Sequence, residues 1–229
     1  MWALLNDAED AIVEIISNPK NMTVAGVNHP RSLFKLWTDA ERKAIGIVPV
    51  TTTGSHLDTA YYIEKNEAYA IADDKASVVR TIGVKVAEHV LDDINVVWTQ
   101  EEVDDGYAPD GTSANDARND DHGNQIVTLG LKTNAKNKAN VAANGCIKGF
   151  NWLVQRKVTH DTDIPSDILT YIAAVRTAHA SICTAIDNAS DMAAFIALHN
   201  NVYNDDGTLK TIAKVQDWPD DYGVKGSRR

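Results

Sequence analysis

The chain has 229 residues, 44% of them hydrophobic, with 22 Lys and Arg against 32 Asp and Glu and a formal net charge of −10. That is enough apolar material for one sizeable core or two small ones, and the acidic balance argues against a nucleic acid or an anionic membrane as partner, because both are polyanions. Cys146 and Cys183, the two cysteines, make neither a disulfide framework nor a paired metal motif and read as free thiols, and there is no apolar run of the ~18 residues that a membrane span requires.

The opening "MWALLNDAEDAIVEII" lacks the basic start and long apolar stretch of a signal peptide. Its two apolar runs, 2–5 and 11–16, flank a polar "NDAED" and predict a β-hairpin. Pro19, Gly26 and Pro30 then predict turns around one short strand at 22–27. Thr38 followed three residues on by Glu41 is a capping box, Asp39 suits the first turn of a helix, and Gly46 supplies its stop. A helix of that length is not stable alone and must lean on Leu36, Trp37 and Ile45.

"IGIVPVTT" returns to an extended course, with Pro49 expected to keep it out of a central strand position. "YYIEKNEAYAI" reads as a hairpin turning over 64–67, and "SVVRTIGVKVAEHV" as further strand. Residues 101–125 form an acidic, glycine-bearing insertion without apolar periodicity, expected to be a loop. An Ala, Lys and Asn-rich helix follows and closes near Gly145 and Gly149, and "NWLVQRKVTH" reads as a strand.

The next segment carries the clearest pattern. Asp163 or Ser166 offers an N-cap, Pro165 suits the first turn, and Ile168, Tyr171, Ile172, Val175, Ile182 and Ile186 fall on one face, predicting a helix over 166–187. "NASD" restarts a second helix with Met192, Phe195, Ile196 and Leu198, which makes an αα-hairpin. After the turn signal "NDDG", the polar tail "DWPDDYGVKGSRR" is expected to be poorly ordered at its end. The fold class is α+β, with a β-rich attachment module over 1–70, middle strands and the acidic 101–125 loop within 71–130, and a C-terminal strand and helical hairpin over 131–229 as a candidate oligomerisation region.

Charge is unevenly placed. From residue 73 to 121 there are 13 acids against 4 bases, whereas 122–160 has 6 bases and no acid. Such blocks attract each other within one chain or across a subunit interface. No chemistry is assembled beside them. The seven histidines are scattered without metal-ligand spacing, and P-loop, dinucleotide and nucleophile-elbow signatures are missing from the sequence. The oxygen-rich insertion does not follow the EF-hand order of ligands and reads as solvated loop. The chain is therefore expected to be no enzyme, with no catalytic residue, metal or cofactor. Of the five tryptophans, Trp37 and Trp218 are placed where a partner can reach them, and the stripe carrying Ile172 and Ile182 is the candidate for self-association.

"MWALL", "EIISNPK", "HPRSLFKLWTDAERKAIGIVPV" and the following "YY" resemble the N-terminal module of bacteriophage tail and tail-fibre-associated proteins. Trp37, Thr38, Glu41, Ile45, Gly46, Ile47, Pro49 and Val50 match that family's tryptophan-to-Pro-Val element, and Arg42 stands where the family usually has Leu. "GNQIVTLGLK", "NWLVQRK", "IPSDILTYIAAVRTAHASICTAIDNASDMAAF" and the late "WP" are similar to the C-terminal region of the same proteins, with Phe150 and Asn151 replacing the usual Thr-Asp. The resemblance implies a virion tail component, made in the host cytoplasm, that joins other tail or fibre proteins in host attachment as a homo-oligomer. Two rivals remain: a fibre-assembly chaperone that binds fibre chains transiently, and a host-receptor-binding protein that uses exposed Trp or Tyr residues on a glycan.

Overall fold

Ala3 and Leu5 project to one side of an extended segment and Trp2 and Leu4 to the other, and all four are apolar, so this strand must be covered on both faces. The computed structural model, which describes residues 1–223, forms it as β1 (Trp2–Leu5), antiparallel to β2 (Ile12–Ile16). The predicted single strand at 22–27 is instead a second hairpin, β3 (Met22–Val24) and β4 (Val27–His29). Its two-residue turn has Ala25 at φ 48° and Gly26 at φ 81°, the left-handed pair that closes tight hairpins.

Two short helices follow, α1 (Leu33–Leu36) and α2 (Asp39–Lys43). The Thr38–Glu41 capping box forms in full at the start of α2. Arg42 explains how so short an α1 ends: its guanidinium is buried and donates to the carbonyl oxygens of Leu33, Phe34 and Trp37 while pairing with Asp39. Helix C-terminal carbonyls left bare would otherwise need water.

The remaining strands of this region are β5 (Ile47–Gly54), β6 (Tyr62–Lys65), β7 (Ala68–Ala72), β8 (Ser77–Ile82) and β9 (Val84–Glu88). They build a five-stranded sheet in the order β2-β1-β5-β8-β7, plus a separate β6–β9 pair. β5 is the central strand, contrary to the expectation from Pro49. β5 pairs with β1 through residues 47–49 and, in parallel, with β8 from Val50 onward. Leu5 N donates to Gly46 O and Val50 N to Met1 O, so Trp2 and Pro49 face each other at a non-hydrogen-bonded position and the missing N–H falls before the β8 ladder begins.

The hairpin predicted over 64–67 is also corrected. β7 and β8 turn through 73–76, where Asp73, Asp74 and Lys75 all have positive φ, and β6 pairs with β9 beyond them. One long two-stranded ribbon is thus bent midway, and Gly83 is the bend: its φ is +70° and a Cβ there would lie 1.8 Å from the Ser55 carbonyl oxygen. Ala3, Leu5, Val48 and Val78 form a core on one face of the sheet, and Ile16, Leu33, Phe34 and Ile47 one on the other. Lys75 Nζ reaches the Ala8 carbonyl at 2.9 Å, tying the β7–β8 turn to the β1–β2 turn.

The chain divides after Glu88 into two compact units, Met1–Glu88 and His89–Arg229, instead of near 70 and 130. β8 is paired on both sides, which holds residues 71–88 to the first unit. The second begins with β10 (Ile94–Asn95), α3 (Gln100–Asp104) and β11 (Val127–Thr128), then α4 (Leu131–Ile147), a 3-10 turn at Lys148–Phe150, α5 (Asn151–His160), α6 (Ser166–Asp187), α7 (Met192–Ala197), and a β12 (Val202–Tyr203) and β13 (Leu209–Thr211) hairpin. Both helices and sheets are present, as the α+β reading requires.

The acidic insertion is structured. A second capping box, Thr99 with Glu102, starts α3; Arg118 stacks on Trp98 at 4.4 Å and pairs with Glu102 at 2.9 Å. Residues 151–160 are helix and not strand, because Leu153 alone is buried and Gln155, Arg156 and Lys157 favour helix. α6 spans 166–187 as the periodicity predicts, although Pro165 occupies the N-cap position without a side-chain cap and Asp163 instead pairs with Lys157 at 2.8 Å. Its main partner is α4, while the short α7 restarts from Asp191, which accepts from Ala194 N at 2.8 Å. The predicted disorder at the chain end falls largely outside the described residues.

The start of α4 is held from outside the helix. Asp93 accepts from Gly130 N at 2.7 Å and from Thr133 Oγ1 at 3.0 Å, and Leu131 N and Lys132 N donate to the carbonyls of Val90 and Leu91. A Cβ on Gly130 would lie 2.4 Å from Leu91 O and 2.5 Å from the Asp92 carbonyl carbon. Gly130→Ala is therefore expected to destabilise by about 1–3 kcal/mol through overpacking, and Asp93→Ala by about 0.5–2 kcal/mol through loss of the cap, both read by urea unfolding followed at 222 nm.

Candidate partner-binding surfaces

The four residues singled out in the sequence end in different places. Trp37 is half-buried in the first unit, its ring edge-on to His29 at 5.6 Å, and packs against the Leu33 and Phe34 core. Ile182 is 0% exposed and belongs to the core of the second unit with Val175 and Ile186. Ile172 is half-buried on the same helix. The Ile stripe therefore faces inward, because α4 covers it, and Ile182 is not available to a second copy.

Trp218 is half-buried, and its indole N–H donates to Val215 O at 3.2 Å. It borders an open cleft of about 550 Å³ between α6 and the tail, lined by Ala174, Thr177, Ala178, Ser181, Lys214 and Pro219 among others. Small side chains on this face of α6 let the tail lie close to it. The same tail carries Tyr222, whose hydroxyl donates to Asp167 and whose ring stands edge-on to Phe150 at 5.3 Å. That hydroxyl hydrogen bond holds the Asp167 carboxyl below its ordinary range.

His179, whose ring lies 6.5 Å from that of Trp218, has its Nε2 2.6 Å from Asn140 Oδ1 and 3.5 Å from Cys183 Sγ. One nitrogen serves both neighbours, so the ring cannot take the thiol proton while donating to the amide. Burial, reinforced by the Asp187 carboxylate, pushes the Cys183 thiol up. A thiol held protonated is a poor nucleophile, and Asp187 is itself engaged by Lys136 at 2.8 Å. Among the described residues no group of three His, Cys, Asp or Glu is placed to hold a metal ion, and no helix is long and apolar enough to cross a membrane. Asp120 in the insertion accepts from the amides of His122 and Asn124, consistent with turn chemistry there.

The surface that sequence reading missed is on α5. Trp152, Val154 and Val158 are 55%, 53% and 80% exposed, and Leu153 is the buried residue of that helix. The guanidinium of Arg156 lies over the Trp152 ring at 5.3 Å. Reading "NWLVQRKVTH" with a period of 3.6 residues instead of 2 would have set Val154 and Val158 on one outward face. A second exposed aromatic, Tyr107 at 73%, follows α3 in the acidic insertion. Comparison with family models, with curated proteins and with solved structures returns no match.

Ile182→Asp places a charge in the core and is expected to unfold the second unit, whereas Val158→Asp on the exposed face should leave its melting temperature nearly unchanged. Acid should weaken both capping boxes. The backbone amides of Thr38 and Thr99 hold Glu41 and Glu102 below the usual carboxylate range. Their folded-state values are depressed, so this stabilisation is complete above the unfolded value and is lost as pH falls through the folded one. Urea midpoints should drop between about pH 6 and about pH 3, with a flatter profile for Glu102→Gln, which keeps the box and removes the titration.

Proposed function

We propose that this protein is a structural component of a bacteriophage tail, a tail adaptor or fibre-associated part that works through protein–protein contacts and not by catalysis. The observation that carries the reading is the role of the residues that bear the resemblance. Thr38 and Glu41 form a complete capping box, Gly46 ends the helical segment, and Ile47 and Val48 lead into the central strand, each 0% exposed on opposite faces of the sheet. A motif spent on a joint between helix and sheet specifies a shape.

Two further features support it. Each unit has its own core, and the second displays large apolar side chains on α5 and in the insertion, of the kind that mark contact surfaces when grouped. The thiol–imidazole pair Cys183 and His179 is arranged against nucleophilic use, as its burial and hydrogen bonding require. Virion localisation and partnership with other tail or fibre proteins follow from this reading.

The deciding experiment is quantitative mass spectrometry of density-banded virions, with this chain measured against the major capsid protein. A fixed low ratio is the expected result. Abundance in infected cells with absence from particles would replace the tail reading with that of an assembly chaperone.

A further inference from the structure

α5 is a helix with little to hold it. It has 10 residues, with Leu153 as its buried side chain, and isolated helices shorter than ~12–15 residues are marginal in water. Local interactions give some help: Lys157 pairs with Asp161 at 2.6 Å and Asp163 at 2.8 Å, and Asp161 ends the helix at φ 49°. Yet Trp152 stands in solvent with the guanidinium of Arg156, four residues on and hence on the same face, over its ring, while Val154 and Val158 are exposed on the other side of the helix. Exposed apolar surface of this kind is stable when covered.

The charges around it point to the occupant. Within the basic block, ion pairs among the described residues engage Lys132, Lys136 and Lys157, and none reaches Lys138, Lys148 or Arg156. The Arg156 Nε is buried and without a hydrogen-bond partner. The α3 region has the opposite character: Glu101, Asp104 and Asp105 are exposed and outside any ion pair, beside the exposed Tyr107. Each surface combines apolar or aromatic contact area with unpaired charge, and the signs are opposite.

We propose that a second copy of this chain covers the Trp152 face of α5, its α3 and Tyr107 surface docking on Trp152 while Glu101, Asp104 and Asp105 meet Lys148 and Arg156. The two patches differ, so the contact is head-to-tail and repeats into a ring or an open chain. This rests on the reading of the protein as an oligomeric structural part, and it moves the self-association surface from the buried Ile stripe to α5.

The test is sedimentation velocity of the full chain over a wide concentration range. Wild type should associate, and added salt should weaken it because rim charges are screened. Trp152→Ala and Lys148→Glu should each raise the dissociation constant by roughly tenfold or more, with melting temperatures unchanged to show that both are folded. Mixing Lys148→Glu with a Glu101→Lys/Asp105→Lys chain should recover association, since one contact then pairs reversed charges. A wild type that stays monomeric throughout would overturn the interface, as would association untouched by both variants. A monomer found in virions at a fixed ratio would sink the interface and leave the tail assignment standing; an associating chain absent from particles would do the reverse.

Discussion

The second unit depends on the seizure of one helix end. α4 begins with a glycine that offers no side-chain cap, and a helix start leaves its first amides without internal partners. Residues 90–93 supply partners for three of them from upstream, two backbone carbonyls and one oxygen of Asp93, whose other oxygen accepts from the Thr133 hydroxyl. The approach is so close that only a residue without Cβ fits at 130. α4 in turn covers the inner face of α6, so the position of the longest helix is set by a carboxylate in the acidic half of the sequence. Lys132 adds an ion pair to Asp92 at 3.0 Å, which shows that the opposed charge blocks meet at least in part within one chain.

Legibility followed the range of the interactions. The Thr38–Glu41 box, the first hairpin and the 166–187 helix were readable because their signals lie within a few residues or repeat with a clean period. The same capping signature at Thr99 and Glu102 was present and passed over, because the acidic run around it reads as loop. Errors arose where pairing partners are distant. Nothing local in "YYIEKNEAYAI" says that its halves pair with different strands, nor does anything local say that Pro49 falls at a register position where a missing amide is harmless. At 151–160 the valines and tryptophan suggested a strand, and the helix-favouring Gln155, Arg156 and Lys157 among them were given too little weight.

The residues singled out in the sequence for partner contact are not the apolar residues that the fold leaves most exposed. Apolar periodicity along α6 is a core signal first, and the depth of Ile182 follows from a covering helix whose own pattern, rich in Ala, Lys and Asn, is faint. Exposure became visible only with the fold, at a helix that had been read as something else. Trp37 and Trp218 sit at half depth, each with its polar or aromatic edge already satisfied by neighbours, and so serve mainly to fix a loop and a tail.

Arg42 carries a consequence for the order in which the first unit assembles. The single turn Leu33–Leu36 has its terminal carbonyls closed by a side chain from the following helix, and that helix depends on its own capping box for a start. α1 therefore has no route to persistence before α2 is in place, and fraying of α2 releases both. The two helices act as one cooperative folding element that opens and closes on the flank of the sheet as a single event, with a shared rate of amide exchange.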